Sequence, residues 1–146
     1  MDELWVEAKV ENLDAVLDFV SGHLEAAECP VKVKNQIAIA AEEIFVNIAC
    51  YAYPPETAAD SAEPSRETGG AMVRIAIADE VVLAFEDKGK AYNPLERDDP
   101  DTAIGAEERE IGGLGIYMVK KMMDAVEYRR EEDKNILLIR KAVKPN

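Results

Sequence analysis

A carboxylate and an amide stand four positions apart in the apolar segment formed by residues 36–53. Glu43 and Asn47 are two of the few polar side chains in this segment. In a helix they would stack on one face, at the edge of the apolar stripe that turns toward the core. Polar groups beside a core are costly unless they are paired or coordinated. The spacing fits an Mg²⁺ ligand at Asn47 and a base at Glu43, although for this pair alone a surface glutamate and a hydrogen-bonded asparagine are the better explanation.

A second group of candidate residues follows an apolar strand, in the turn Asp87-Lys88-Gly89-Lys90-Ala91. The Asp87 carboxylate can accept a hydrogen bond from an exocyclic amine such as that of adenine. Gly89 lets the backbone approach a flat ring closely. A simple Asp-x-Gly turn is the commoner explanation of such a sequence when it is taken by itself.

A third group is the run Gly112-Gly113-Leu114-Gly115, which leads into a helix. Glycines let backbone N–H groups converge on an anion, and the helix N-terminus behind them adds positive potential. A flexible hinge before a helix is the alternative. The run follows a long irregular segment and not a strand, so neither a Rossmann fingerprint nor a P-loop fits it.

The elements that must hold these three groups can be predicted from apolar periodicity. Alternating apolar residues predict a first strand near residues 4–10 and hairpins over 73–85 and 126–141, and helical spacing predicts helices over 13–28, 31–53 and 114–123. Asn12 is the expected N-cap of the first helix. Helices from separate parts of the chain must share one face of a mixed, mostly antiparallel sheet, which gives an α/β two-layer sandwich. The whole chain, 1–146, is expected to be a single domain with a surface loop at 55–70.

Composition sets limits on the partners. The 146 residues carry 17 basic and 30 acidic side chains, a net charge of −13, which disfavours binding to nucleic acid and to anionic membranes. No apolar run is long enough for a transmembrane helix, and residues 1–9 lack the apolar core of a signal peptide. Cys29 and Cys50 have no metal-ligand spacing and are expected to be reduced, in the cytoplasm.

The order of the three groups resembles the GHKL superfamily, whose nucleotide site is the Bergerat fold. Within it, EEIFVNIACYAYP at residues 42–54 and IGGLGIYMVKK at 111–121 look like the short anti-sigma-factor serine/threonine kinases. The resemblance covers residues 4–141. It implies ATP and Mg²⁺ as ligands, with the metal on Asn47, Glu43 as catalytic base, and Asp87 reading the adenine amine above Gly89. Residues 95–111 would form the ATP lid. The other positions implied to contact the nucleotide are Ala91, Arg109, Gly112, Gly113, Leu114 and Gly115.

The same resemblance implies protein partners. Such kinases are commonly homodimers that bind a sigma factor or phosphorylate a small STAS-domain antagonist on Ser or Thr. Three features depart from the pattern: Cys50 replaces a basic residue, Leu138 replaces a threonine of the last strand, and the 55–70 loop is long. A nucleotide-gated binding module without phosphotransfer, and an interaction protein with a decayed pocket, are therefore alternatives. A histidine kinase is disfavoured because the single histidine, His23, lies in the first helix.

Overall fold

The computed structural model of the chain describes residues 1–53, 69–96 and 113–144. The predicted order of elements is confirmed within these ranges, and short 3₁₀ turns precede α1 and follow β3. Most of the predicted 55–70 loop and of the 95–111 lid lies outside the described residues. None of the described helices is long and apolar enough to cross a bilayer. The main elements are β1 (Asp2–Glu7), α1 (Leu13–Ala26), α2 (Val31–Tyr51), β2 (Gly70–Ile77), β3 (Glu80–Asp87), α3 (Gly113–Met122), β4 (Ala125–Glu131) and β5 (Lys134–Ala142).

The five described strands form one sheet in the order β1-β2-β3-β5-β4. Every neighbouring pair is antiparallel, so the prediction of a mostly antiparallel sheet is confirmed and the described strands contain no parallel pair. The β4–β5 hairpin turns through Glu132 and Asp133, which both have positive φ (51° and 64°), as a two-residue turn that follows strand twist requires. At the far end of the central strands, Asp87 of β3 lies opposite Asn135 of β5.

The side chains of the strands alternate between two faces, and the three helices cover one of them. Val73, Phe85 and Ile139 point to the covered face and are almost fully buried against the helices. None of the described helices covers the other face, where Arg74 pairs with Glu3 at 2.7 Å. The predicted two-layer α/β sandwich is therefore confirmed.

Helix α2 lies in the middle of the helical layer and carries the first pair of candidate residues. Its N-cap position is Pro30, whose missing N–H costs nothing before the first turn. Side chains at helical spacing give it one buried stripe, and the small residues within that stripe let the neighbouring helices approach closely. The buried stripe and its flanks comprise Val33, Ile37, Ala40, Ala41, Ile44, Phe45, Asn47 and Ile48.

The prediction that Asn12 is the N-cap of α1 is confirmed in position but not in its hydrogen bond. Asn12 occupies the N-cap position of α1, but its side chain makes no capping hydrogen bond. Its Nδ2 instead donates to the carbonyl of Glu7 at 2.9 Å, which ties the start of α1 to the end of β1. A tertiary partner therefore replaces the local one that an asparagine in this position usually finds.

Candidate functional site

A narrow cavity lies between α2, the end of β3 and the β4–β5 hairpin. Apolar side chains of α2 and the sheet form its walls. Three buried polar side chains also line it, namely Asn47, Asp87 and Asn135, which are 9 %, 7 % and 6 % exposed. In the described part of the chain these are the only buried polar or charged residues. Because buried polar groups are costly, their convergence on one cavity marks it as the candidate site.

Asp87 lies at the inner end of the cavity, where β3 ends. Its Oδ1 accepts two hydrogen bonds of 2.9 Å, from the Gly89 N–H and from Asn135 Nδ2. No described residue donates to Oδ2. Burial raises the pKa of the Asp87 carboxyl, while the Asn135 and Gly89 hydrogen bonds and the charge of Arg130 act in the opposite direction. One oxygen is thus held in place and the other remains an acceptor.

Gly89 packs on the C-terminal end of α2. A Cβ at this position would overlap the backbone carbonyl of Ala52, and the adjacent Lys90 N–H donates to that carbonyl at 3.0 Å. The Asp-x-Gly turn is therefore locked to the helix, which accounts for the glycine independently of any ring above it. Ala91 follows as an exposed residue beyond the turn.

Asn47 lines the cavity from α2, and its amide takes part in no hydrogen bond within residues 1–53, 69–96 and 113–144. An amide oxygen in this condition suits Mg²⁺, which prefers oxygen ligands and keeps several waters. The described residues contain no group of three or more His, Cys, Asp or Glu side chains that could hold an ion. An ion at Asn47 would therefore depend on a bound phosphate chain and water for its other ligands.

Glu43 lies one helical turn before Asn47, half-buried and outside the lining of the cavity. Its carboxylate touches the start of α3, where a Cβ on Gly115 would overlap it. Burial raises the pKa of the Glu43 carboxyl, and the negative charge of neighbouring Glu42 raises it further. A carboxylate whose pKa is raised in this way is a stronger base than an exposed glutamate.

The glycine-rich run is only partly described. Gly113 begins α3 and Gly115 lies in its first turn, where backbone N–H groups have no partner within the helix. Leu114 lies between them on the same turn. Gly112 and Arg109 fall outside the described residues, so their predicted contacts stay predictions. The structure thus brings Asn47 and Asp87 to one cavity, and Glu43 to the glycine-rich run.

A family model of the histidine kinase-like ATPase domain matches residues 6–141. The chain belongs to this family. It is 26 % identical over 108 residues to the serine/threonine-protein kinase BtrW of Bordetella bronchiseptica, an alignment that covers 74 % of the present chain and 70 % of the relative.

The fold is also similar to a solved structure, that of the RsbU and RsbW domains of Rv1364c from Mycobacterium tuberculosis. The TM-score is 0.64 at 12 % identity, over 97 % of the present chain and 32 % of that chain. The present chain therefore spans about a third of the solved one, and the likeness shows the fold alone.

Two residues of the cavity were missed in the sequence. Asn135 was predicted to be only part of the last strand and of the run that departs from the family pattern at Leu138, and Tyr128 only part of the preceding strand, yet both line the cavity. The signal was the alternation along β5, which places Asn135 on the same face as Leu137 and Ile139, both buried. Leu138, which replaces the expected threonine, points to the opposite face of the sheet.

Proposed function

We propose that this member of the histidine kinase-like ATPase family binds Mg-ATP and transfers the γ-phosphoryl group to a Ser or Thr hydroxyl of a partner protein. One observation carries the proposal: the buried polar side chains of the described residues converge on a single cavity, and Glu43 stands one helical turn from Asn47. The name of the Bordetella relative, a serine/threonine-protein kinase, supports the same activity.

The cavity offers a group for each end of the nucleotide. Asp87 Oδ2 accepts a hydrogen bond from the exocyclic amine of adenine, and the apolar walls of the cavity pack against the ring. Asn47 would hold Mg²⁺ through its amide oxygen, and the ion would supply positive charge to the phosphates. The N–H groups in the first turn of α3, which have no partner within the helix, add positive potential for the phosphate chain.

Glu43 acts as the base. Its carboxylate takes the proton of the attacking hydroxyl, the hydroxyl oxygen bonds to the γ-phosphorus, and the bond from that phosphorus to the β,γ-bridging oxygen breaks to release ADP. Burial favours this transfer, since it raises the proton affinity of Glu43 above that of an exposed glutamate.

The proposed substrate is a small STAS-domain protein of the anti-sigma antagonist kind, and the proposed second partner is a sigma factor. The resemblance of segments 42–54 and 111–121 to anti-sigma-factor kinases supports both. A homodimer in the cytoplasm belongs to the same proposal. The sheet face that the described helices leave uncovered, with Trp5, Met72 and Leu138 on it, offers apolar surface for protein contacts.

The test is phosphotransfer from γ-labelled ATP. The full chain is retrieved with its bound proteins from the native cell, incubated with labelled Mg-ATP, and the modified residue of any labelled partner is mapped. A labelled Ser or Thr on a STAS-domain protein, lost with Glu43→Ala, is the expected result. Label that survives this substitution at full rate would remove Glu43 from its role.

A nucleotide-gated binding module is the second candidate, and Cys50 favours it. This exposed residue stands three positions after Asn47, where a basic side chain would help neutralise the phosphates. A module of this kind would bind its partner more tightly with ATP than with ADP and would label nothing. Partner affinity measured with ATP, ADP and a non-hydrolysable analogue separates it from a kinase.

A further inference from the structure

The side-chain amide of Asn135 is hydrogen-bonded at every position it offers. Its Nδ2 donates to Asp87 Oδ1 at 2.9 Å and to the Lys90 carbonyl at 2.8 Å. Its Oδ1 accepts from the Tyr128 hydroxyl at 2.5 Å and from the Tyr92 N–H at 3.3 Å. Two donors and two acceptor sites are all that an asparagine amide has. The side chain therefore has a single satisfied arrangement in this structure.

These partners also decide which way the amide points. The Tyr92 N–H can only donate and the Lys90 carbonyl can only accept, so exchanging Oδ1 and Nδ2 would break both bonds. The group of Asn135 that faces Asp87 must therefore be its Nδ2 donor. Tyr128 adds to this fixation from the neighbouring strand, because its hydroxyl donates to Asn135 and leaves the amide hydrogens for Asp87 and Lys90.

The consequence for Asp87 is that its two oxygens differ. Oδ1 is occupied by the donors of Asn135 and Gly89, and Oδ2 is the oxygen left to accept a hydrogen bond. An acceptor in this place pairs with the 6-amino group of a purine. It repels the 6-oxo group of hypoxanthine or guanine, because two acceptors then face each other with no proton between them.

We propose that Asn135 and Tyr128 are positioning residues that hold the Asp87 carboxylate as a one-sided acceptor, and that they thereby set the preference of the site for 6-aminopurine over 6-oxopurine nucleotides. The inference rests on the proposed function, since it concerns the base end of the same nucleotide. It adds two residues that act through Asp87 and touch neither the phosphates nor the metal.

The charges around Asp87 are consistent with this role. Arg130 of β4 faces it and donates to the Gly89 carbonyl at 2.9 Å, while Tyr53 approaches from the end of α2 and Lys88 follows in the turn. Burial works against the charged form of the Asp87 carboxyl and raises its pKa, and the donor on Asn135 lowers it again. Loss of that donor would favour a protonated carboxyl, which can donate to a 6-oxo group.

The test compares two nucleotides that differ at position 6 of the base. Affinities for Mg-ATP and Mg-ITP are measured by calorimetry for the wild-type chain, Asn135→Leu and Tyr128→Phe. A hydrogen bond to a charged group predicts that the wild type prefers ATP about 10- to 100-fold. Asn135→Leu is expected to bring the ratio of the two affinities to within about threefold, and Tyr128→Phe, which keeps the ring, to lower it in part.

The ratio separates positioning from a general loss of structure, because the ribose and triphosphate are common to both nucleotides. Tyr117→Phe on α3 is the matched control: its ring lies 5.4 Å from Lys121 Nζ and does not line the cavity. This variant should keep the wild-type ratio even if it is less stable. Asn135→Leu is scored only if its circular dichroism is native, and Tyr128→Phe decides the question if it is not.

Two results would count against the inference in different ways. If the wild type prefers ATP and both variants keep the full preference, Asn135 and Tyr128 do not set it, and the proposed function stands without them. If the wild type binds neither nucleotide, the proposed function itself falls and this inference falls with it.

Discussion

The carboxylate of Glu43 lies against the backbone of Gly115, so that α2 and the first turn of α3 meet where a side chain has no room. Residues 72 positions apart in the chain thus share one contact. The absence of a side chain at Gly115 leaves space for the Glu43 carboxylate, and the Gly115 N–H belongs to the helix end proposed to face phosphate. These two roles of Gly115 can be separated, because alanine at this position keeps the N–H and fills the space that Glu43 occupies.

Gly115→Ala is accordingly expected to displace the Glu43 carboxylate while the fold is kept. The end of a glutamate side chain can rotate away, and alanine favours a helix over glycine by about 1 kcal/mol. We expect the single-turnover rate of phosphotransfer from labelled ATP to fall by roughly tenfold or more, since general-base catalysis depends on reach. The affinity for ATP should change much less than the rate.

Gly22→Ala on α1 is the matched control for this substitution, because no atom lies within 4 Å of the added Cβ. It should raise the free energy of unfolding by about 1 kcal/mol and leave the rate unchanged. A Gly115→Ala variant that transfers phosphate as fast as the wild type would show that the rate does not depend on the position of Glu43 against Gly115.

Protonation of the Glu43 carboxylate is expected to cause the fall of the phosphotransfer rate on the acid side of its pH profile, the acid limb. A base works only when deprotonated, so the rate should fall as the pH drops through the pKa of Glu43, which burial and Glu42 raise above the ordinary glutamate value. Glu42→Gln removes the second of these causes and should move the limb to lower pH. Glu25→Gln, an exposed substitution on α1, should leave it in place. Glu43→Gln should slow transfer by about 10²- to 10⁴-fold.

How far the site could be predicted from the sequence depended on whether a signal was local. Glu43 and Asn47 are one turn apart on a helix, so periodicity alone placed them together, and Asp87 stood out at the end of an apolar strand. The pairing of Asp87 with Asn135 depends on the register of β3 against β5, which no local pattern encodes.

The same distinction applies to the Asp-x-Gly turn and to the last strand. The fit of Gly89 against Ala52 depends on where α2 ends in space, so the sequence suggested a ligand or a simple turn as the reason for the glycine, and not this contact. Leu138 replaces a family threonine, but the alternation of side chains along β5 points it away from the cavity. Asn135 lies on the face of β5 that lines the cavity.

Asn47→Ala is expected to remove the metal-dependent part of nucleotide binding. Mg²⁺ would lose its protein ligand among the described residues and keep only phosphate and water oxygens. Titration of ATP with and without Mg²⁺ should show a tenfold or larger enhancement by the ion in the wild type, roughly 1.4 kcal/mol, and little in the variant. Asn35→Ala, an exposed site on the same helix, should behave as wild type. An undiminished effect of Mg²⁺ in Asn47→Ala would place the ion elsewhere.

Asp87→Asn should weaken adenine recognition and stabilise the fold at neutral pH. Burial raises the pKa of the Asp87 carboxyl in the folded protein, so the folded state binds the proton more tightly than the unfolded chain does. Wild-type stability must then decrease as the pH rises from the ordinary aspartate pKa to the raised one. The amide cannot ionise, yet its oxygen can still accept from Gly89 and Asn135.

The stability difference between Asp87→Asn and the wild type should therefore be near zero in acid, grow through that pH interval and stay constant above it. Urea unfolding at a series of pH values measures it. Calorimetry with Mg-ATP should show an affinity roughly 10- to 100-fold lower for the variant, because its amide oxygen stays with Gly89 and Asn135 and its NH2 donor then faces the 6-amino group of the base. Such a gain in stability with a loss of binding is expected of a buried charge kept for a ligand. A variant less stable than the wild type at neutral pH would mean that the carboxylate is held by more than Asn135, Gly89 and Arg130.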